Sequence, residues 1–242
     1  MGPVRPGRRP GAGTRAAGLG GDLRGGGAVE LALFPLNAVL FPGGVLPIHV
    51  FEERYKLLVG RCLEEKVPFG VVLIRSGREV GGPADPFPVG TTARIGQVQR
   101  LEGGRLNLLA LGESRFRIRD VLQTSPYLVA EVDLLQDEDL EGTEGLAAQV
   151  GELFAEFVRL TLAITGQWAR SLALPAAPSA LADAVAQRLP LDLRHKQALL
   201  EMLSVRQRLE HERQFLERAL PELERRMARY RAQRWGAFWA LN

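Results

Sequence analysis

The sequence predicts an α+β protein. Its first half is a compact antiparallel sheet or partly closed barrel with one early helix, and its second half is all helical. Three observations predict this. Over residues 29–135, apolar residues alternate or form short runs between turn residues. Residues 136–144, "QDEDLEGTE", are acidic and turn-rich. Beyond them the apolar period changes from two to 3.6.

Residues 1–28 hold ten of the 27 glycines and almost nothing that can be buried, so ordering them would cost entropy with no offsetting contacts. They are predicted to be disordered; a mis-assigned start, with the protein beginning near Val29, fits the same composition. Read as an RNA-binding arginine-glycine tail, the segment lacks the usual aromatics. It carries five arginines against one aspartate, so the net charge of +3 leaves about −1 on the remaining 214 residues.

Seven runs then read as strands: "VELALF", "GVLPIHVF", "FGVVLI", "TTARIGQVQRL", "RLNLLAL", "SRFRIRDVL" and "YLVAEVDLL". In "LEGGRL", adjacent glycines supply the positive φ angles of a hairpin turn. The one helix of this half spans residues 51–66. Phe51, Tyr55, Leu58, Val59, Cys62 and Leu63 share a face, Glu52 and Glu53 favour its N-terminus, and Pro68 stops it.

Residues 143–242 form the helical half. Leu146, Val150, Leu153, Phe154, Phe157, Val158, Thr161 and Ile164 make one helical face, closed by Gly166 as a cap. A short helix is predicted over residues 181–189, another after Asp192 as N-cap, and a last one opened by the Ser204 and Gln207 capping-box pair. In that last helix Leu209, Leu216, Leu223 and Tyr230 recur every seven residues, with Leu220 and Met227 between them. The seam serves packing within the domain or a coiled-coil homodimer. Arg213 and Arg234 interrupt it, and Pro221 is expected to kink or divide the helix.

The residues offer no catalytic, metal or cofactor site. None of the three lysines follows a glycine, which excludes a GxxxxGK[ST] phosphate loop. The three histidines stand apart, and "HERQF" fails the H-E-x-x-H zinc pattern at Phe215. No serine sits in G-x-S-x-G. Cys62, the single cysteine, lies on a buried helix face. Arg115, Arg117 and Arg119 alternate along one strand, as contacts for an acidic partner or as cross-strand pairs placing Arg119 opposite Glu131 and Arg117 opposite Asp133. The arginines from Arg206 to Arg234 are mixed with five glutamates, the pattern of a solvated helix face rather than a nucleic-acid stripe. No run approaches the length of a membrane span and no secretory signal is present, so a cytoplasmic location is expected.

Read together, "LALFPLNAVLFPGGVLPIHVFEERY", "FGVVLI", "VGTTARIGQVQRLEGGRLNLLALGESRFRI" and "PYLVAEVDLL" closely resemble the N-terminal substrate-binding domain of ATP-dependent Lon proteases. Further on, "ALADAVAQRLPLDLRHKQALLEMLSVRQRLE" is similar to that domain's helical half, with its "LPL...KQ.LLE" signature. The resemblance covers residues 29–220. It implies a barrel of the pseudouridine-synthase-and-archaeosine-transglycosylase (PUA-like) type joined to a helical bundle, and recognition of unfolded or tagged polypeptides. Lon continues into an ATPase and a Ser/Lys protease; this sequence, ending at Asn242, shows neither. It therefore resembles stand-alone Lon-domain proteins, and a non-enzymatic adaptor or holdase is expected. The alternative is a PUA-like RNA binder.

In the proline-punctuated stretch over residues 33–55, Pro35, Pro42 and Pro47 prevent regular pairing throughout, while Gly43 and Gly44 permit a reversal at a barrel mouth. Phe34, Leu36, Leu46 and Ile48 are assigned to the core. Phe41 and Pro42, at the reversal, are the candidate exposed apolar contact for a polypeptide, the alternative being that they cap the barrel. Arg54 and Tyr55 either anchor that loop or flank a groove.

Overall fold

The computed structural model describes residues 29–82, 84–167 and 172–239, with side chains through Tyr230. The disorder expected of residues 1–28 lies outside the described residues.

The first half contains β1 (Val29–Leu36), β2 (Val45–Val50), α1 (Glu53–Glu65), β3 (Phe69–Gly77), β4 (Ala84–Pro86), β5 (Val89–Arg100), β6 (Leu106–Gln123) and β7 (Leu128–Leu134). Neighbouring strands run β1-β7-β6-β5-β3, and β3 pairs back onto β1, which closes a barrel. Among the described residues every strand-to-strand ladder is antiparallel except this closing one, which joins Leu33 to Gly70 and Leu36 to Leu73 in parallel. A parallel pair needs a crossover, and the β2–α1 segment supplies it.

Two strands that read separately are one. β6 runs 18 residues through Gly112, pairing β2 with its first part and β7 with its last. Glycine is required there because a Cβ would stand 2.3 Å from the Phe41 carbonyl oxygen. Before β6, Gly103 and Gly104 take φ of 70° and 69°, the expected turn.

Helix α1 starts at Glu53, so Phe51 precedes it and stays outside its buried face. Tyr55, Leu58, Val59 and Cys62 are buried; Phe51 and Leu63 are exposed. Leu63 follows Cys62 by one residue and has rotated about 100° towards solvent. Inside the barrel Tyr55 stacks on Phe34 at 4.0 Å between centroids. Each such buried side chain contributes about 1.5–3 kcal/mol by leaving water.

The second half contains α2 (Glu144–Ile164), α3 (Pro178–Arg188), α4 (Leu193–Glu201) and α5 (Val205–Trp239). Gly166, at φ 71°, donates to the Ala163 carbonyl while Gln167 donates to that of Leu162, the paired bonds that close a helix on glycine. Asp192 accepts from the His195 amide at 2.8 Å, and Ser204 Oγ from that of Gln207 at 3.2 Å, so both caps form. Helix α5 passes Pro221 undivided. Pro221 is exposed, so water can meet the carbonyl that loses its donor. Leu209, Leu216, Leu220 and Met227 are buried together with Val150, Phe154 and Phe157 of α2. The sevenfold seam thus packs within its own bundle.

A separate apolar cluster joins the halves. Val39, Phe41, Leu73 and Val89 of the barrel meet Ala186 of α3 and Leu199 and Leu200 of α4.

Candidate functional site

Phe41 belongs to that seam. It is fully buried, at 0% exposure, and its amide donates to Gln187 Oε1 of α3 at 3.1 Å. The expected exposed contact at Phe41 is therefore corrected: the reversal at Gly43–Gly44 turns the aromatic towards the helical half, which covers it. Pro42 is half-buried and lines a polar cleft of ≈ 330 Å³ between the halves, with Glu113, Asp137 and Asp183. The "KQ.LLE" signature lies in the seam as well. Lys196 Nζ donates to the Gln187 carbonyl at 2.8 Å, and Gln197 Nε2 to that of Val89 at 3.0 Å.

Arg115 also departs from its expected place. The three arginines were expected on one face as partner contacts or cross-strand pairs, but Arg115 is 4% exposed and turned into the seam. There it donates to both carboxylate oxygens of Asp183, to Asp137 at 3.3 Å and to the Leu200 carbonyl at 3.0 Å. Arg208, fully buried, donates to Asp137 at 2.9 Å and lies 3.8 Å from Asp183. Arg117 does face Asp133 in register, yet Arg119 makes the ion pair with Asp133, because a register shift between Ile118 and Asp120 displaces it and brings Asp120 opposite Glu131. Burial pushes the Asp183 carboxyl up, while Arg115 and Arg208 pull it back. Glu212 stands beside this cluster at 1% exposure with no partner for either oxygen; burial raises its carboxyl well above the ordinary range. The charges of the polar cleft are engaged with one another, Glu113 with Arg94 and the two aspartates with Arg115 and Arg208. The network ties β6, through Arg115, to Asp183 of α3 and, through Asp137, to Arg208 of α5.

A second cleft, of ≈ 360 Å³, is apolar and open to solvent. Seven consecutive residues border it, from Leu46 to Glu52, so it follows the edge of β2 rather than one face of the strand. Its floor is Phe34, Leu36, Leu46 and Tyr55; Leu36 and Leu46, assigned to the core from sequence, are only half-buried because they line it. Phe51 and Val80 form the rim at 45% and 52% exposure. Phe51 stacks against His49 at 5.8 Å.

Hydrogen bonds hold the far wall. Arg54 donates to Glu52 at 3.1 Å and to the carbonyls of Gly82 and Glu79 at 3.1 and 3.4 Å, and its guanidinium lies 4.5 Å over the Tyr55 ring. Glu52 accepts from the Gly81 amide, and the Glu79 carboxylate from the amide and side chain of Asn37. Arg54 is thus the anchor of the β3–β4 loop, and Tyr55 the floor of the groove.

Sequence reasoning missed Phe51, Val80 and the edge of β2. One signal was available: Pro47 within a strand run marks an edge strand.

Among the described residues no group of three or more potential metal ligands is found, and no helix is long and apolar enough to cross a membrane. Burial raises the Cys62 thiol to about 11.

Over residues 30–218 the sequence matches the family model described as the ATP-dependent protease La (LON) substrate-binding domain. The chain belongs to this family. Among its relatives, the Lon protease of Anaeromyxobacter dehalogenans is 30% identical over 185 residues, covering 74% of this chain and 22% of that protein. The Lon protease of Roseiflexus castenholzii is 32% identical over 191 residues, covering 78% and 24%. The chain thus spans about a quarter of the length of the Lon proteases it matches. Among solved structures, the Lon N-terminal domain protein from Xanthomonas campestris is 29% identical, with a TM-score of 0.56, covering 76% of this chain and 96% of that one. The N-terminal domain of Mycobacterium avium complex Lon protease, 21% identical with a TM-score of 0.54, shares the fold.

Proposed function

We propose that this Lon-family domain is a polypeptide-binding module. It holds unfolded or damaged protein as a cytoplasmic adaptor or holdase and breaks no bonds itself. The observation that carries this reading is the apolar cleft along β2, with an exposed aromatic rim and a wall fixed by Arg54. Surface apolar clefts of this kind are where proteins take up apolar side chains. The family description, a substrate-binding domain, supports the same reading. On this reading Tyr55 forms the floor of the site and Arg54 positions its wall, while the buried Phe41 lies outside it. The buried ionic cluster supports a structural role for the seam, since its acids and guanidiniums neutralise one another.

The test is fluorescence anisotropy with a labelled, reduced and carboxymethylated polypeptide that cannot refold. Saturable binding is expected, weakened about 5- to 30-fold by Phe51→Ser or Val80→Ser, the loss typical of an interface anchor. Binding that ignores both substitutions, or no binding at all, contradicts the reading.

A further inference from the structure

The free edge of β2 has a donor and acceptor pattern that points to how a client is held. Gly112 donates its amide to the Gly44 carbonyl at 2.9 Å, and the register then runs from Val45 opposite Leu111 to Val50 opposite Leu106. In an antiparallel ladder, bonded pairs alternate. Leu46, Ile48 and Val50 therefore exchange bonds with β6, while Val45, Pro47 and His49 turn their main-chain groups outward. Pro47 has no N–H, so the edge presents three carbonyls and two amides. Among the described residues β6 is the only ladder partner of β2.

The two faces beside this edge differ. One is the apolar cleft floored by Phe34, Leu46 and Tyr55. On the other, a depression of ≈ 490 Å³ shares Pro47, Ile48 and His49 with it and exposes a polar row across three strands. His49 Nδ1 and Asn107 Oδ1 lie 2.7 Å apart, and Asn107 Nδ2 donates to Gln99 Oε1 at 3.3 Å. The charged groups at the cleft wall, Glu52 and Glu79 against the single guanidinium of Arg54, sum to −1.

Resting on the reading of the cleft as a polypeptide site, we infer that the client adds as a strand to the edge of β2. The client is an extended segment whose alternate residues are apolar and polar, with basic rather than acidic flanks. Its main chain pairs with the outward groups of Val45, Pro47 and His49, its apolar side chains enter the cleft, and its polar ones lie over the row of His49, Asn107 and Gln99. A second copy of this chain is a poorer occupant. Two β2 edges meeting would each lack the Pro47 donor in the middle of a six-residue strand.

The probe is a fluorescein-labelled peptide, Lys-Val-Ser-Phe-Thr-Leu-Lys, compared with a version carrying Asp at both ends and with a series N-methylated at one residue at a time. The Lys form is expected to bind about tenfold tighter than the Asp form at low salt, the gap narrowing as salt is added. N-methylation is expected to cost about tenfold at alternate residues and little between them, because only every second amide meets β2. Losses without this alternation, or equal binding of the Lys and Asp forms, overturn the inference and leave the broader reading intact. Failure of the peptide where the unfolded polypeptide binds does the same. Failure of both probes overturns the broader reading. A dimer in sedimentation that dissociates when the peptide is added would assign the edge to a second copy and likewise overturn the inference.

Discussion

Replacing Glu212 by Gln is expected to stabilise the protein at neutral pH. Its carboxyl is 1% exposed, neither oxygen has a hydrogen-bond partner, and burial raises its pKa well above the ordinary value. The folded chain therefore binds a proton that the unfolded chain releases near pH 4.5. Between that pH and the folded pKa the native state carries the extra proton, so the slope of stability against pH is negative. The contribution of Glu212 is fully present below pH 4.5 and is lost as pH rises towards the folded value. Each pH unit of the gap costs about 1.4 kcal/mol, which sets an upper limit of about 3.5 kcal/mol at pH 7, reached if the proton is still held there. Gln keeps the shape and removes the titration. Urea denaturation of both proteins from pH 4 to pH 8 measures the difference: Glu212→Gln should match the wild type near pH 4 and exceed it increasingly above pH 5. A variant less stable at pH 7, or a difference that does not change with pH, refutes the reasoning.

Other substitutions separate seam from cleft. Phe41→Ala removes a fully buried ring between the halves and should lower unfolding stability by roughly 3–5 kcal/mol in urea. Phe51→Ala, at the exposed rim, should change it by less than about 0.5 kcal/mol. Asp183→Ala leaves the buried Arg115 and Arg208 short of an anion and should cost about 3–5 kcal/mol by the same assay. Arg54→Ala removes the two bonds to the carbonyls of Gly82 and Glu79, so amide hydrogen exchange at Gly81 and Gly82 should accelerate while the barrel core stays protected. With its thiol raised to about 11, Cys62 should react with a disulfide probe at pH 8 at least about a hundredfold more slowly than in the urea-unfolded chain.

Much of the fold was legible because it is local. The face of Tyr55, Leu58, Val59 and Cys62, the glycine turn before β6 and the caps at Asp192 and Ser204 each follow from residues within a few positions of one another. What escaped depends on distant partners. Arg115 looked like one of three solvated arginines; its acid, Asp183, is 68 residues away on α3. Phe41 looked exposed because the helices that cover it come more than 130 residues later. The parallel closure of β1 on β3 has no signature in the period-two pattern of either strand. The cleft was half legible. Arg54 and Tyr55 stand out in the sequence, but the spacing puts Phe51 on the helix face, and Val80 lies in a loop that bonds to the distant Arg54, Glu52 and Asn37 bring to the rim.

Capture of an unfolded chain along β2 can be read out by photo-cross-linking: an unfolded polypeptide bearing a benzophenone group is bound, irradiated and mapped by peptide mass spectrometry. Cross-links should concentrate at residues 46–52 and 79–80 and vanish when an excess of unlabelled polypeptide is added. Competed cross-links that cluster on α2 and α5, or at the seam around Pro42, with none along β2, would contradict the account.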